Sequence, residues 1–176
     1  MLLILLRDGG GDKVLLTRRA EMLREHAGEV AFPGGKRDRE DSSMYRTALR
    51  ECYEEVGIAE HQLLYFAELE PHFTSKGANV VPFVAELRGQ PKLVLSASEI
   101  ASTKWVPLDV FLYDRRSLTH VFVNGETEYW APVYDYEDYR IWGFTARVLV
   151  SFVNRYYGRQ IAREHASAEE QTLNLA

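Results

Sequence analysis

Three glutamates lie close together in the run Arg50-Glu51-Cys52-Tyr53-Glu54-Glu55-Val56-Gly57-Ile58. At about 100° per residue, a helix places Glu51, Glu54 and Glu55 within one quadrant of its surface. Like charges at these spacings destabilise an isolated helix by a few tenths of a kcal/mol per pair, so a compensating cation is expected. Carboxylate oxygens suit Mg²⁺, which commonly bridges protein carboxylates to substrate phosphates. The cluster therefore predicts a metal site for phosphate chemistry.

The alternative is a solvated acidic surface, which is what most charged helices present. Two neighbouring features favour a site instead. Gly34 and Gly35 precede the helix closely, and a glycine turn can bring backbone amides near the same carboxylates. Arg50 stands four residues before Glu54 and can hold that side chain in place. One turn apart, Glu51 and Glu55 could share one cation, which would make a bound water more acidic and a better nucleophile.

Composition limits the classes of protein to which this site can belong. The chain has 176 residues, 46% of them hydrophobic, which suits one compact domain with a substantial core. The net charge of −5 argues against a general nucleic-acid surface, and the apolar start Met1–Leu6 is too short to span a membrane. With a single cysteine, no intrachain disulfide can form. We therefore expect a cytoplasmic protein that binds neither nucleic acid nor membrane.

The apolar patterns predict the elements that must position the site. The glutamates fall on a predicted helix, Ser42–Val56, with Asp41 or Ser42 as its cap, Gly57 at its end and Cys52 on its buried stripe. A second helix is predicted at Phe144–Tyr157. Strands are predicted at Leu2–Leu6, Val14–Thr17, Leu63–Glu70, Val80–Leu87, Lys104–Val106, Val121–Val123 and Glu126–Trp130.

Turn residues add detail to these elements. Gly9-Gly10-Gly11-Asp12 and Asn124-Gly125 each predict a hairpin. Pro82 predicts an edge strand or a bulge, because proline cannot donate to a central ladder. Phe32-Pro33-Gly34-Gly35 must be a loop. The order of elements predicts an α+β fold or a mixed-sheet α/β sandwich, occupying residues 1–158 as a single domain, with a polar, frayed tail at 159–176.

The residues from Gly35 to Ile58 resemble the Nudix box, whose pattern is G-x5-E-x7-R-E-U-x-E-E-x-G-U with U apolar. The half from Arg50 to Ile58 matches at every position. In the front half, Asp41 stands where the pattern has Glu, and one extra residue separates it from Arg50. We interpret Asp41 as a helix cap, and we assign the metal to the glutamates alone.

A second motif precedes the box and resembles the extension of the coenzyme A pyrophosphatase subfamily, L-L-T-x-R-[SA]-x3-R-x3-G-x3-F-P-G-G. Residues Leu15–Gly35 meet every specified position, and Ile141–Ala146 also resembles that subfamily. The resemblance implies a Nudix α/β/α sandwich with a mixed sheet between helices. It also implies Mg²⁺ or Mn²⁺ as cofactor and hydrolysis of the diphosphate of coenzyme A or its derivatives to 3′,5′-ADP and 4′-phosphopantetheine or its acyl form.

The resemblance also implies roles for individual residues. Glu51 and Glu55 are the expected metal ligands, with Glu54 in support, and Arg50 would orient these carboxylates. Glu51 or Glu99 would act as general base. Arg19, Arg24, Gly34 and Gly35 are the expected substrate-binding residues, since guanidinium groups suit phosphate oxygens.

Other functions are left open by the sequence. The substrate could instead be ADP-ribose, NADH or a dinucleoside polyphosphate. A non-catalytic nucleotide-binding domain is disfavoured because all three glutamates are present. Whether the chain forms a homodimer is also open.

Overall fold

The computed structural model describes residues 1–73, 77–165 and 169–174. These residues form two compact units, Met1–Pro107 and Leu108–Ala176, each built from strands and helices. The α+β class and the mixed sheet predicted from the sequence are therefore confirmed. The assignment of residues 1–158 to one domain stays a prediction. Within the described residues, no helix is both long and apolar enough to cross a membrane.

The first unit holds the site helix and most of the predicted strands. Its elements are β1 (Leu2–Arg7), β2 (Asp12–Arg19), β3 (Val30–Ala31), α1 (Met44–Val56), β4 (Leu63–Glu68), β5 (His72–Phe73), β6 (Asn79–Val80), β7 (Phe83–Leu87) and β8 (Ile100–Pro107). A six-stranded sheet has the order β3-β2-β1-β7-β4, with β8 also paired to β2. The β1–β7 pair is parallel and the β1–β2 and β4–β7 pairs are antiparallel, so the sheet is mixed.

Helix α1 packs through its apolar stripe against this sheet. The stripe residues Ala48, Leu49, Cys52 and Val56 share one buried cluster with Leu2 and other sheet residues, and none of the four exceeds 5% exposure. Burying such side chains stabilises a fold by roughly 1.5–3 kcal/mol for each large aliphatic residue. The packing therefore holds the acidic side of α1, which adjoins the stripe and includes the buried Glu55, in a defined orientation.

Strand β7 differs from the expectation based on Pro82. The proline lies between β6 and β7, and β7 itself pairs with β1 on one side and β4 on the other. The strand is therefore interior, and the prediction of an edge strand is wrong. A register shift occurs instead in β4, between Tyr65 and Ala67. The proline is tolerated because it stands just before β7, where its carbonyl accepts from the Leu69 amide at 2.9 Å.

The second unit contains a separate four-stranded sheet. Its elements are α2 (Asp109–Leu112), β9 (Leu118–Asn124), β10 (Thr127–Tyr136), β11 (Tyr139–Ile141), α3 (Gly143–Tyr156) and β12 (Glu169–Asn174), in the sheet order β11-β10-β9-β12. The antiparallel β9–β10 pair confirms the predicted hairpin, with Gly125 and Glu126 as the connecting residues. Helix α3 packs on β10.

The prediction of a frayed tail is wrong for the described residues beyond Arg159. Strand β12 pairs in parallel with Leu118–Val123 of β9. Before it, the Asn154 side chain accepts from the Ile161 amide at 2.9 Å, and the Arg116 guanidinium donates to the Ala162 carbonyl at 2.9 Å. Arg163 also forms ion pairs with Glu128 and Glu170. These backbone and ionic contacts, together with the buried side chain of Ile161, hold the described residues of the tail; residues 166–168 and 175–176 lie outside the described part.

Candidate metal and phosphate site

Helix α1 begins and ends at residues that satisfy its free backbone groups. The Ser43 hydroxyl accepts from the Arg46 amide at 3.1 Å, so Ser43 is the N-cap and the prediction of Asp41 or Ser42 is wrong. Gly57 adopts a left-handed conformation with φ of 76°, and its amide donates to the Tyr53 carbonyl at 2.9 Å. The predicted C-terminal end is therefore confirmed.

Glu51 and Glu55 project from α1 towards the glycine loop that precedes it. The Gly34 amide donates to Glu55 Oε2 at 3.0 Å. A Cβ atom on Gly35 would lie only 2.3 Å from Glu51 Oε1, so a side chain at that position would displace the Glu51 carboxylate. The loop thus supplies a donor to one carboxylate and open space to the other. The predicted proximity of Gly34 and Gly35 to the acidic cluster is confirmed by these contacts.

Burial makes both carboxylates reluctant to ionise. The Glu55 side chain is 3% exposed, and burial raises its pKa to about 7, with the Glu51 and Glu99 charges adding to the shift. Burial also raises the pKa of Glu51. The nearby Arg50 charge lowers this pKa, and the Glu54 and Glu99 charges raise it further. Two desolvated carboxylates that repel each other are stabilised by a cation between them.

Arg50 holds the acidic residues around it in fixed positions. Its guanidinium contacts Asp41 Oδ2 at 3.0 Å, Glu51 Oε1 at 3.0 Å and Glu54 Oε2 at 2.8 Å. It also donates to the Lys36 carbonyl at 3.1 Å. The Arg50–Glu54 contact expected from their spacing is present. Arg50 therefore acts as an orienting residue, and Glu54 is the most exposed of the three glutamates, at 51%.

Asp41 has a role that sequence reasoning did not identify. Its buried carboxylate accepts from Arg50, from the Thr47 hydroxyl at 3.0 Å and from the Asp38 amide at 2.9 Å. The Arg50 guanidinium beside it holds the pKa of Asp41 at about 2. Asp41 is thus an anchor for Arg50, not the helix cap. Its position in the motif was the available signal, because it occupies the place of the box's first acidic residue.

The remaining predicted residues lie on the elements that border α1. Glu99 precedes β8, and its charge raises the pKa of both Glu51 and Glu55. Arg19 ends β2, with one guanidinium nitrogen 3.9 Å from Glu55 Oε1. Its Nε atom is buried with no hydrogen-bond partner among the described residues. Arg24 is exposed in the loop between β2 and β3, and its role as a substrate contact stays a prediction.

The donor set fits a hard divalent cation that keeps several waters. Glu51 and Glu55 offer carboxylate oxygens at one place, with Glu99 close enough to affect both. Across residues 1–73, 77–165 and 169–174, no three His, Cys, Asp or Glu side chains form a ready cluster of metal ligands. A site with few protein ligands is typical of Mg²⁺, because water and substrate phosphate complete the coordination of this ion. The individual ligand assignments remain predictions.

Comparison with known proteins identifies a family and several relatives. The NUDIX domain family matches residues 2–124. Peroxisomal coenzyme A diphosphatase ndx-8 of Caenorhabditis elegans is 40% identical over 153 residues, covering 84% of this chain and 64% of the relative. Mitochondrial Nudix hydrolase 15 of Arabidopsis thaliana is 34% identical over 160 residues, covering 86% of this chain and 55% of the relative. The chain thus spans a little over half to two thirds of the length of these two relatives.

A solved structure shows the same fold. The crystal structure of a C. elegans Ap4A hydrolase binary complex aligns with a TM-score of 0.53 and 25% identity, covering 61% of this chain and 78% of that chain.

The expectation of a cytoplasmic protein is contradicted by these relatives, since one is named peroxisomal and the other mitochondrial. Composition and cysteine count carry no information that separates the cytosol from these compartments, which explains the error. The family match over most of the chain and the buried glutamate pair beside a glycine loop lead to one conclusion: the chain belongs to the Nudix family.

Proposed function

We propose that the chain hydrolyses the diphosphate of coenzyme A or its derivatives to 3′,5′-ADP and 4′-phosphopantetheine or its acyl form. The single observation that carries this proposal is the pairing of Glu51 and Glu55 beside the loop that ends the Leu15–Gly35 motif. Arg19 of the same motif contacts Glu55, so the subfamily motif and the acidic site meet at one place. The 40% identity to a coenzyme A diphosphatase supports the choice of substrate.

Nudix hydrolases generally use divalent metal ions, and we propose Mg²⁺ or Mn²⁺ here. Glu51 and Glu55 would hold the ion, with Glu54 in support. When bound, such an ion neutralises phosphate charge and makes a bound water more acidic.

The chain's own residues have separate tasks in the reaction. Glu51 or Glu99 would take the proton of the attacking water, since both carboxylates stand at the site. The Arg50 guanidinium keeps the Glu51 carboxylate oriented, because its Nη2 atom lies 3.0 Å from Glu51 Oε1. Arg19 has a buried Nε without a partner in the described structure, and a phosphate oxygen of the substrate would satisfy it. Arg24 would contact substrate from the adjoining loop.

Product analysis in ¹⁸O water tests this proposal directly. Coenzyme A is incubated with the protein and Mg²⁺, and the products are identified by mass spectrometry. We expect 3′,5′-ADP and 4′-phosphopantetheine, with the label in only one of them, which identifies the phosphorus that water attacks. No cleavage with either Mg²⁺ or Mn²⁺ would exclude the proposed activity.

A second candidate substrate is a dinucleoside polyphosphate, because the solved structure with a TM-score of 0.53 is an Ap4A hydrolase. A panel of coenzyme A, acyl-coenzyme A, ADP-ribose, NADH and Ap4A decides between them. A preference of about tenfold or more in kcat/KM for a substrate outside the coenzyme A class would reverse the ranking. Tight nucleotide binding without turnover would instead indicate a non-catalytic domain. Light scattering on the same sample tests whether the protein is a homodimer.

A further inference from the structure

The segment from Val94 to Glu99 is attached to the last turn of the site helix. The Val94 amide donates to the Val56 carbonyl at 3.0 Å, and the Ser96 amide donates to the Glu55 carbonyl at 3.0 Å. The last carbonyls of a helix have no partner within the helix, so this segment satisfies two of them. One of those carbonyls belongs to Glu55 itself. The segment and the helix end are therefore joined at a residue of the acidic site.

The other end of the segment fixes the main chain of Glu99. The Glu99 amide donates to the Ser96 carbonyl at 2.9 Å, and the Glu99 carbonyl accepts from the Ala20 amide at 2.8 Å. Ser96 thus bonds to Glu55 through its amide and to Glu99 through its carbonyl. A displacement of the segment that carries Ser96 away from the helix end pulls on the Glu99 amide, against the hold of Ala20 on the Glu99 carbonyl.

Gly57 controls how closely the segment approaches the helix. A Cβ atom on Gly57 would lie 2.9 Å from Val94 Cβ, 3.1 Å from Val94 N and 3.2 Å from Val94 O. Two of these three atoms are backbone, so a side chain at Gly57 would force the segment itself to move. This is a separate requirement from the left-handed φ of 76°, which asparagine can also adopt.

We propose that Gly57 is a positioning residue, whose missing side chain lets Val94 pack on the helix end and thereby places Glu99 beside Glu51 and Glu55. The proposal deepens the proposed function, on which its kinetic consequences rest. Gly57 then has a role in addition to ending the helix. Val94 and Ser96 contribute to the same positioning, because they bond to the helix end.

The test compares Gly57→Asn with a matched control, Gly89→Asn. Gly89 has nearly the same φ, 73°, but an added Cβ there meets nothing within 4 Å. We expect Gly89→Asn to keep wild-type kcat and to lower the melting temperature only by the cost of a side chain at a left-handed φ. Gly57→Asn should fold but lose kcat with little change in KM, since a misplacement of about 1 Å can cost roughly 100-fold. Unchanged kcat in Gly57→Asn would overturn the proposal.

A double-mutant cycle with Glu99→Gln separates positioning from general damage. If Gly57 acts through Glu99, adding Gly57→Asn to Glu99→Gln should cause little further loss of kcat. A loss in that background equal to the loss in wild type would mean that Gly57 acts elsewhere, and the proposal would fail. Adding Val94→Gly removes one of the three close contacts, so Gly57→Asn/Val94→Gly should recover part of the lost kcat.

Crystal structures of wild type and Gly57→Asn give a readout that does not depend on the substrate. We expect the Val94–Glu99 segment to shift away from the end of α1, taking the Glu99 main chain with it. An unmoved segment would overturn the proposal even if coenzyme A is the substrate. A shifted segment supports it even if the panel shows that coenzyme A is not cleaved.

Discussion

The Arg50 guanidinium bonds the Asp41 carboxylate through two nitrogens, Nε at 3.2 Å from Oδ1 and Nη2 at 3.0 Å from Oδ2. This fork joins the loop before α1 to the middle of the helix. The same Nη2 atom contacts Glu51 Oε1 at 3.0 Å. Asp41 therefore influences a predicted metal ligand through one intermediate side chain, without touching the site itself.

Replacing Asp41 by asparagine should lower the melting temperature and reduce kcat, because Arg50 loses its buried ionic partner. The depressed pKa of about 2 means that this stabilisation is present above pH 3.8, the ordinary value, and is lost as the pH falls towards 2. Urea unfolding of wild type and Asp41→Asn should therefore differ at pH 7 and converge in acid. The matched control is Asp38→Asn, because the exposed Asp38 carboxylate also lies near this guanidinium, with Oδ2 3.6 Å from Arg50 Nη2. An equal effect of both variants would contradict the anchoring role of Asp41.

Glu55→Gln should abolish most of the activity while preserving the fold. Glutamine keeps the size of the side chain and can still accept from the Gly34 amide, but it is a poor ligand for a hard cation. We expect kcat to fall by orders of magnitude at saturating Mg²⁺, with an unchanged circular dichroism spectrum. A near-normal kcat would remove Glu55 from the metal site.

Glu55→Gln should also make the free energy of unfolding less dependent on pH. Burial raises the pKa of Glu55 from 4.5 to about 7, so the folded state holds this proton more tightly than the unfolded chain. The metal-free wild type should therefore lose unfolding free energy as the pH rises through this window, by up to about 3 kcal/mol. Glu55→Gln should lack this loss, and Mg²⁺ should restore stability to the wild type at pH 8. Equal pH profiles for both proteins would contradict the buried-carboxylate explanation.

Arg19→Ala should raise KM for the diphosphate substrate more than it lowers kcat, if the unpartnered Nε binds a phosphate oxygen. Removing a charge-assisted hydrogen bond of this kind costs roughly 1.5–3 kcal/mol, or about 10- to 150-fold in affinity. Steady-state kinetics with Arg18→Ala as the neighbouring control measures the effect. A fall in kcat with unchanged KM would indicate that Arg19 acts on Glu55 rather than on substrate.

Deleting residues 169–176 should destabilise the second unit. The deletion removes β12, leaving β9 as an open edge strand and His120 without Gln171, its register partner in β12. Exposed strand edges promote association between chains. We expect a lower melting temperature and a larger species in size-exclusion chromatography. Glu170→Gln, which weakens only the ion pair with Arg163, should have a smaller effect; equal effects would mean that the backbone pairing adds little.

The sequence predicted most elements because their residues carry strong periodic or turn signals. Helix α1 has an apolar stripe and a glycine stop, and the first hairpin has three consecutive glycines between apolar runs. Strand β12 was missed because Glu169–Asn174 is almost wholly polar, and it is held by pairing with β9 rather than by alternation of apolar residues. Backbone pairing of that kind leaves little trace in the identity of side chains.

The residues of the acidic cluster and the glycine loop could be predicted to lie together. The contacts that hold them in place could not be predicted. Glu51, Glu55, Gly34 and Gly35 do meet, as their spacing indicated. The contacts of Asp41 with Arg50 and of Val94 with Gly57 span 9 and 37 positions of the chain, by the differences 50 − 41 and 94 − 57. Val94 has no distinctive local sequence, and the position of Asp41 in the motif does not name Arg50 as its partner. Such long-range contacts depend on tertiary packing, which no local pattern contains.

The buried side of α1 also carries the chain's single thiol, Cys52, which has no exposed surface. Burial raises its pKa to about 12, so thiolate is nearly absent in the folded protein at neutral pH. A thiol-directed label can therefore react only when α1 separates from the sheet, and the labelling rate measures how often that opening occurs. Without any engineered residue, the chain thus contains a labelling site on the helix that bears Glu51 and Glu55.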